Sequence, residues 1–314
     1  MNPAATGLVS VIVPSYRGID RLKRLLPALA AQRDQGFEAL IVIDGETDDS
    51  AAYVEGFGHP NISCIMFPEN RGRVAALNAG FAAARGDVLV RCDDDLEPGP
   101  DFIARHRDAH AGAGQPVGVI GLCVNVYADT PYAEVYGRPR DERFRRQAYA
   151  DPEGAWRRWG GHASISRQVW EKAGGYDPDY VRYGWEDVDY GYRLMRSGVK
   201  IVLDPGLEVA HHAAAVTTTI SALRALHSGA ARTIFERKHG PVLGPPLRVT
   251  SVWTALVVAA SLVLTERTIR LVCPLVDRVL PRLPRRIGEK LVALLVEASS
   301  HAGHRRPTRA VASF

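Results

Sequence analysis

Cysteine is scarce for the length of the chain: Cys64, Cys92, Cys123 and Cys273 are the only four among 314 residues, and none forms a C-x-x-C pair. That spacing excludes a disulfide framework and a cysteine-based zinc site. Three of the four lie in apolar strand-like runs, as buried, reduced thiols of a cytosolic protein do. A large excess of one charge is also missing. Lys and Arg number 39 against 35 Asp and Glu, a formal +4, so nothing demands a nucleic-acid partner, while a mildly basic surface tolerates anionic substrates or lipid headgroups. The opening MNPAATG lacks the basic and apolar segments of a signal peptide, and the chain is expected to be cytoplasmic. No G-x-G-x-x-G follows the first strand-like run, which disfavours a dinucleotide enzyme. Internal repeats and low-complexity tracts are absent as well.

What is present is alternation. Residues 8–13 (LVSVIV) form a β-branched run closed by Pro14-Ser15, and Ile19–Ala31 carries Leu22, Leu25, Leu26 and Leu29 at helical spacing: strand, loop, amphipathic helix. The unit recurs in EALIVI (38–43), ISCIMF (62–67), a helix over Val74–Ala84, DVLVRC (87–92) and VGVIGLCVNV (117–126). This predicts an α/β fold with a mostly parallel sheet, helices on both faces and ligands beyond the carboxyl ends of the strands. Tyr127–Trp159 is polar and irregular and reads as a long functional loop, with plain surface disorder as its alternative. Regular structure resumes with GGHASISR, a helix at 167–174, the turn GGYDPDY, a helix from Glu186 to Ser197 and the strand KIVLD (200–204). A catalytic domain over 1–216 is expected, its halves meeting near 126, followed by a helical extension over 217–300 and a disordered tail over 301–314. Within the extension, VTSVWTALVVAASLVLT (249–265) is nearly uncharged and close to the lower limit of about 17 residues for a spanning helix; a buried core helix fits it equally. The next stretch mixes apolar residues with Arg and Lys, either as a membrane-surface helix or as one packed on the catalytic domain.

Two acidic clusters carry chemistry. Asp93-Asp94-Asp95 ends the strand DVLVRC, where an open α/β sheet binds ligands. Alternation puts Asp93 and Asp95 on one side, where they repel unless a divalent cation or several donors intervene. Mg²⁺ or Mn²⁺ prefers such hard oxygens and bridges to nucleotide phosphates. A solvated acidic turn is the bland reading, and the strand context and second cluster weigh against it. That second cluster runs Gly184-Trp185-Glu186-Asp187-Val188-Asp189. Val188, Gly191, Tyr192 and Met195 share a helical face, so Glu186 and Asp187 fall in the first turn, where the helix dipole favours negative charge and a resting base stays ionised. Asp189 reads instead as the partner of Arg193. His211 or His212 can complete a metal shell, although a lone histidine is more often structural. Asp44 and Gly45 form a turn in which Asp44 can bind a base or ribose, with Asp48 or Asp49 as helix cap. Arg71 or Arg73 can face donor phosphates, and Asn78 can be a structural hydrogen-bonder.

In order and spacing, SVIVPSYRG, IVIDGETDDS, NRGRVAALNAGFAAARGDVLVRCDDD, GGHASISRQVWEKAGGYDPDY, YGWEDVDYGYRL and DPGLEVAHH resemble the inverting family 2 glycosyltransferases of the GT-A fold, over about residues 8–212. The E-D motif resembles the galactosyltransferase C-terminal region. The resemblance implies a Rossmann-like GT-A domain that moves a sugar from a nucleoside-diphosphate sugar, UDP favoured, to an acceptor hydroxyl of a glycan, lipid-linked or small-molecule acceptor, with Mn²⁺ or Mg²⁺. It implies metal contacts at Asp95, Asp93 and His211; donor contacts at Ser15, Asp44, Arg73, Asp93 and Asp94; Asp187 as catalytic base with Glu186 beside it; and an acceptor side of Trp185, Glu186 and His162. Two positions depart from the pattern: Ile43-Asp44 stands where Asp-Asp is frequent, and His162 where Asn is common. Peripheral contact with the inner face of the plasma membrane through the C-terminal helices completes the expectation. The rivals are a sugar-phosphate nucleotidyltransferase, disfavoured because the loop Pro14-Ser15-Tyr16-Arg17-Gly18 is not Gly-rich, and a non-catalytic nucleotide-sugar-binding protein, disfavoured by the intact carboxylates.

Overall fold

In the computed structural model, which describes residues 7–181, 183–244 and 247–310, the β-branched runs become β1 (Val9–Ser15), β2 (Phe37–Asp44), β3 (Ile62–Phe67) and β4 (Val88–Cys92). These four are mutually parallel in the order β3-β2-β1-β4. Beyond β4 the sheet continues through β8 (His162–Ser166), β6 (Val117–Ile120) and β9 (Lys200–Leu203); β8 is antiparallel to both neighbours. The sheet is therefore α/β and mostly parallel, as its alternating pattern predicts. Helix α1 (Ile19–Ala30) buries Leu22, Leu25, Leu26 and Leu29, the stripe legible in the sequence, against one face of the sheet. Helices α2 (Ser50–Phe57), α3 (Arg73–Ala83), α4 (Phe102–Ala111), α6 (Arg167–Ala173) and α7 (Glu186–Arg196) complete the covering.

The run 117–126, expected as one strand, divides after Ile120. Its second half, β7 (Cys123–Asn125), joins β5 (Leu96–Glu97) and β10 (Val209–His211) in a separate three-stranded sheet. That small sheet sets His211 opposite Leu96 and Asn125, beside the acidic run.

The expectation of a long loop over 127–159 is overturned: the stretch holds a π-helical turn, Ala133–Gly137, helix α5 (Arg138–Ala150) and a 3₁₀ turn, Ala155–Arg158. α5 buries only Ala148, so no apolar stripe announces it. The chain divides into two compact units. One holds the chain up to Asn125 with Arg145–Val181 and Glu186–Ala213; the other holds Val126–Phe144, the residues just before Glu186, and the chain from Ala214.

The second unit is built from α8 (Thr218–His239), α9 (Val252–Ser261), α10 (Glu266–Val279) and α11 (Arg285–Arg305) around a core that includes Leu226, Ile269, Cys273, Val276, Val292 and Leu295. The apolar run 249–265 is split: α9 ends at Ser261, and Thr265 opens α10 with a reciprocal capping box to Thr268. Among the described residues no helix is long and apolar enough to cross a membrane. The tail expected to be disordered from 301 is helical through Arg305, because Ala302 packs into the core of this unit; residues 311–314 lie outside the described residues.

Candidate active site

β4 places an arginine where a strand core normally holds a hydrophobe. Arg91 is wholly buried. Side chains alternate along the strand, so Arg91 shares a side with Asp93, and its Nε and Nη2 donate to Asp93 Oδ1 and Oδ2 at 2.9 and 3.2 Å. The remaining arm, Nη1, donates to Asp187 Oδ1 in the first turn of α7. A single guanidinium thus joins the strand-end acid to the helix-start acid, 94 positions apart in sequence, and rests over the ring of Tyr176. Tyr176 is itself fixed: its backbone N–H donates to Asn78 Oδ1 and its carbonyl accepts from Asn78 Nδ2, at 2.7 and 2.8 Å, which makes Asn78 structural.

Burial pushes the Asp187 carboxyl up to about 7, with Arg91 opposing and the neighbouring Glu186 and Asp93 adding to the rise. Burial acts on Asp93 in the same sense, but Arg91 and Arg73 overcome it and hold that carboxyl down at about 2. Two acids on one guanidinium titrate as a pair, the one at the helix start holding its proton longer. The helix dipole alone therefore does not set the state of Asp187, as its first-turn position had suggested; burial outweighs it. Glu186 is buried as well, with Oε1 3.6 Å from Arg73 Nη1 and Oε2 lacking a hydrogen-bond partner among the described residues.

Asp94, the middle of the triplet, faces away. It accepts from Ser15 Oγ at 2.6 Å and from Arg21 Nε and Nη2 at 2.8 and 3.0 Å, so Ser15 and Asp94, both expected on the donor, tie the end of β1 to the end of β4. A Cβ on Gly18 would lie 2.0 Å from Ser15 Oγ and 2.5 Å from Asp94 Oδ2, so only glycine fits there. Asp44 is similarly occupied: its two oxygens accept from the backbone N–H groups of Arg71 and Gly72 at 2.6 and 2.9 Å, and what it positions is the entry to α3. Asp49 stands at the N-cap position of α2, left-handed with φ 58° and without a side-chain cap bond, while Asp48 accepts from Ile19 N–H and from Ser50, the first residue of the helix; Glu46 accepts from Ala51 N–H at 3.0 Å.

Asp95 differs from its neighbours. Its Oδ1 is buried without a hydrogen-bond partner among the described residues, and its Oδ2 faces His211 Nε2 at 3.2 Å. The other ring nitrogen of His211, Nδ1, contacts Asn125 Oδ1. A neutral imidazole has one N–H, so with acceptors at both ends one contact sets lone pair against lone pair unless a second proton or a cation lies there. One carboxylate and one imidazole fit a divalent ion that takes its remaining ligands from phosphate and water. Among the described residues no group of three or more His, Cys, Asp or Glu is arranged to hold a metal by itself. His212 is directed elsewhere, to Glu97 Oε2 at 2.7 Å.

His162 is turned away from any ligand surface. It pairs with Cys92 across β8 and β4, and directly opposed residues of antiparallel strands share a face, here the core face. Its ring is 1% exposed and stacks on Phe102; its Nε2 lies 2.7 Å from His106 Nε2, and His106 Nδ1 and His110 Nε2 each meet Ser164 Oγ at 2.8 Å. Burial lowers the His162 ring to about 3, so this cluster is neutral. The acceptor role expected of His162 is not supported. Trp185 follows Gly184 in a left-handed backbone, φ 74° and 89° respectively; its indole donates to Ser228 Oγ at 3.0 Å and packs against Phe235 of α8. In α7 the buried positions are Glu186, Asp189, Tyr190, Gly191 and Leu194, a stripe shifted from the expected Val188–Met195 face. Asp189 is drawn inward by Tyr180 and by the expected Arg193 pair.

Sequence reasoning missed Arg91, Arg21 and Asn125. The signal for Arg91 was the same two-residue alternation that singled out Asp93 and Asp95. Arg21 and Asn125 carry no such signal, since each is aligned by another strand or loop.

The family described as Glycosyl transferase family 2 matches residues 10–174, more than half of the chain, and the N-terminal domain of galactosyltransferase matches residues 145–214, which contain the Glu186-Asp187 motif. A validoxylamine A glucosyltransferase of Streptomyces hygroscopicus subsp. jinggangensis is 28% identical over 67% of this chain and 58% of its own length. An undecaprenyl-phosphate 4-deoxy-4-formamido-L-arabinose transferase of Sodalis glossinidius is 32% identical over 38% of each chain. The chain thus spans little more than half of the first of these relatives. Among solved structures, a mannosyltransferase of Pyrobaculum calidifontis in complex with GDP-Man and Mn²⁺ superposes with a TM-score of 0.62 at 20% identity, covering 95% of this chain and 87% of its own. S. aureus TarS 1-349 in complex with UDP-GlcNAc gives 0.50 at 15% identity, over 95% and 92%. A family match over more than half of its length places this chain in glycosyl transferase family 2.

Proposed function

We propose that this chain is an inverting glycosyltransferase that moves a sugar from a nucleoside-diphosphate sugar, UDP-linked by preference, to the hydroxyl of a glycan, lipid-linked or small-molecule acceptor. One observation carries the reading: Arg91 holds Asp93 and Asp187 together, which puts an acid at the carboxyl end of a central strand, where such sheets bind ligands, beside an acid able to act as a base. Asp187, with its carboxyl near neutrality, is matched to removing a proton from an attacking hydroxyl at physiological pH. As the acceptor oxygen bonds to the anomeric carbon and the bond to the diphosphate breaks, the proton passes to Asp187 and the configuration inverts in one displacement. Arg73, 45% exposed beside Glu186, offers a cation to the donor phosphates. Mn²⁺ or Mg²⁺, held by Asp95 and His211, would neutralise charge on the leaving diphosphate. The relatives named for transfer to undecaprenyl phosphate support a lipid-linked acceptor as one branch of this reading, and the validoxylamine relative a small-molecule branch.

The test is a thermal-shift panel of nucleoside diphosphates and nucleotide-sugars with and without Mn²⁺, followed by turnover of the best donor with anomeric assignment of the product. Metal-dependent stabilisation by a nucleotide and an inverted product are expected. A chain that answers to no nucleotide, or a product of retained configuration, rejects the reading.

A further inference from the structure

The C-terminal unit buries one apolar face of each of two successive helices and leaves a second apolar face bare. In α9, Val257 is turned inward, whereas Val252, Leu256 and, just past the helix end, Val263 lie on the solvent side at helical spacing, Val252 80% and Val263 67% exposed. In α10, Ile269, Cys273 and Val276 enter the core. At 3.6 residues per turn, Leu271, Leu275 and Val279 fall on the adjacent arc, Leu271 63% and Leu275 58% exposed. The arc beyond them carries Arg267, Arg270 and Arg278; Arg282, in the turn before α11, and Arg285 and Arg286, in its first turn, extend the basic run, and all six are exposed. The acids nearby are engaged within the unit: Asp277 accepts from Thr218 N–H and Oγ1, and Glu289 pairs with Arg143.

A bare apolar stripe flanked by arginines matches the boundary between acyl chains and anionic headgroups, where apolar side chains insert and basic ones stay with phosphate. A second copy of the chain fits less well, since a two-fold contact centred on this face would set arginine against arginine. We propose that α9 and α10 dock this unit on an anionic phospholipid surface, with Leu271, Leu275 and Val263 seated among the acyl chains and the arginine row against the phosphates. This does not rest on the reading of the active site.

The test is co-sedimentation of the whole chain with vesicles of phosphatidylcholine alone and of phosphatidylcholine mixed with phosphatidylglycerol, at low and high salt, with light scattering of the free protein. Binding to the phosphatidylglycerol vesicles at least about tenfold tighter than to the neutral ones, and weakened by salt, is expected. The double change Leu271→Glu and Leu275→Glu should abolish binding, and Arg267→Gln with Arg270→Gln should weaken it severalfold and flatten its salt dependence. Both variants should keep the wild-type circular dichroism and Mn²⁺-dependent nucleotide response. Absence of binding, equal binding to both vesicles, or full binding by the Leu271/Leu275 variant overturns the proposal. So does a concentration-dependent dimer that those glutamates disperse in a protein that ignores vesicles, which assigns the face to a second copy. Each result is read independently of whether the chain transfers sugar.

Discussion

Asp93 and Asp95 lie two residues apart at the end of one strand and are in opposite electrostatic conditions. Asp93 spends both oxygens on the Arg91 fork, whose third arm reaches Asp187. Asp95 has one buried oxygen without a partner and another facing an imidazole nitrogen. The difference separates positioning from waiting. Where the protein supplies its own cation, two acids are locked in register. Where it supplies one imidazole, the second carboxylate oxygen has no hydrogen-bond partner among the described residues.

The strongest way to break the comparison is at the shared end. Asp187→Asn should lower transfer by about 10²–10⁴-fold while nucleotide diphosphate binding, read by thermal shift, stays within a few-fold; retained transfer removes Asp187 from the mechanism. Arg91→Met leaves two half-buried carboxylates without their buried cation and should cost about 3 kcal/mol of stability in denaturant unfolding, and an unchanged midpoint would mean the bridge does not exist in solution. At the other end, His211→Ala should weaken metal dependence about 10–100-fold, seen as a shifted Mn²⁺ titration of nucleotide binding, with little change in unfolding in the absence of metal. If His211→Ala instead destabilises the metal-free protein as Arg91→Met does, the two acids are not in different conditions.

The rate should rise with pH up to about 7 and then level, because a carboxyl held up at that value cannot accept a proton until it ionises. Asp93, held down at about 2, contributes no limb in that range. The sign for stability is opposite: folding favours the protonated form of Asp187, so its contribution is full below the ordinary carboxylate range and is lost as pH rises through 7. A flat rate profile from pH 5 to 8 would count against this assignment. Smallest of all, Ser15→Ala removes one hydrogen bond to Asp94 and should cost about 1 kcal/mol in unfolding, leaving nucleotide affinity nearly unchanged; a large affinity loss would return Ser15 to the donor pocket.

The stripe of Leu22, Leu25, Leu26 and Leu29, the parallel strands and the ends at which the acids lie were all readable, because period and propensity are local. The placement of His162 was not, since its side depends on pairing with β4, and α5 escaped because a charged helix that buries only Ala148 leaves no pattern. Ser15, Asp94 and Asp44 show what the sequence leaves open: a polar side chain in a loop can bind a ligand or the protein's own donors, and sequence does not record which. Here Arg21 and two backbone N–H groups took them.

An alternating α/β chain, two acidic clusters at ligand-facing ends and a helical, arginine-rich C-terminal part all follow from side-chain periodicity and chain-local turns. Three-dimensional packing alone reveals that one buried arginine holds Asp93 to Asp187, that Asp95 rather than Asp94 has a buried oxygen without a hydrogen-bond partner among the described residues, and that α9 and α10 leave apolar faces bare. Each of those depends on which distant groups desolvate one another, and the low-dielectric pairing of residues 94 positions apart is written in no local pattern.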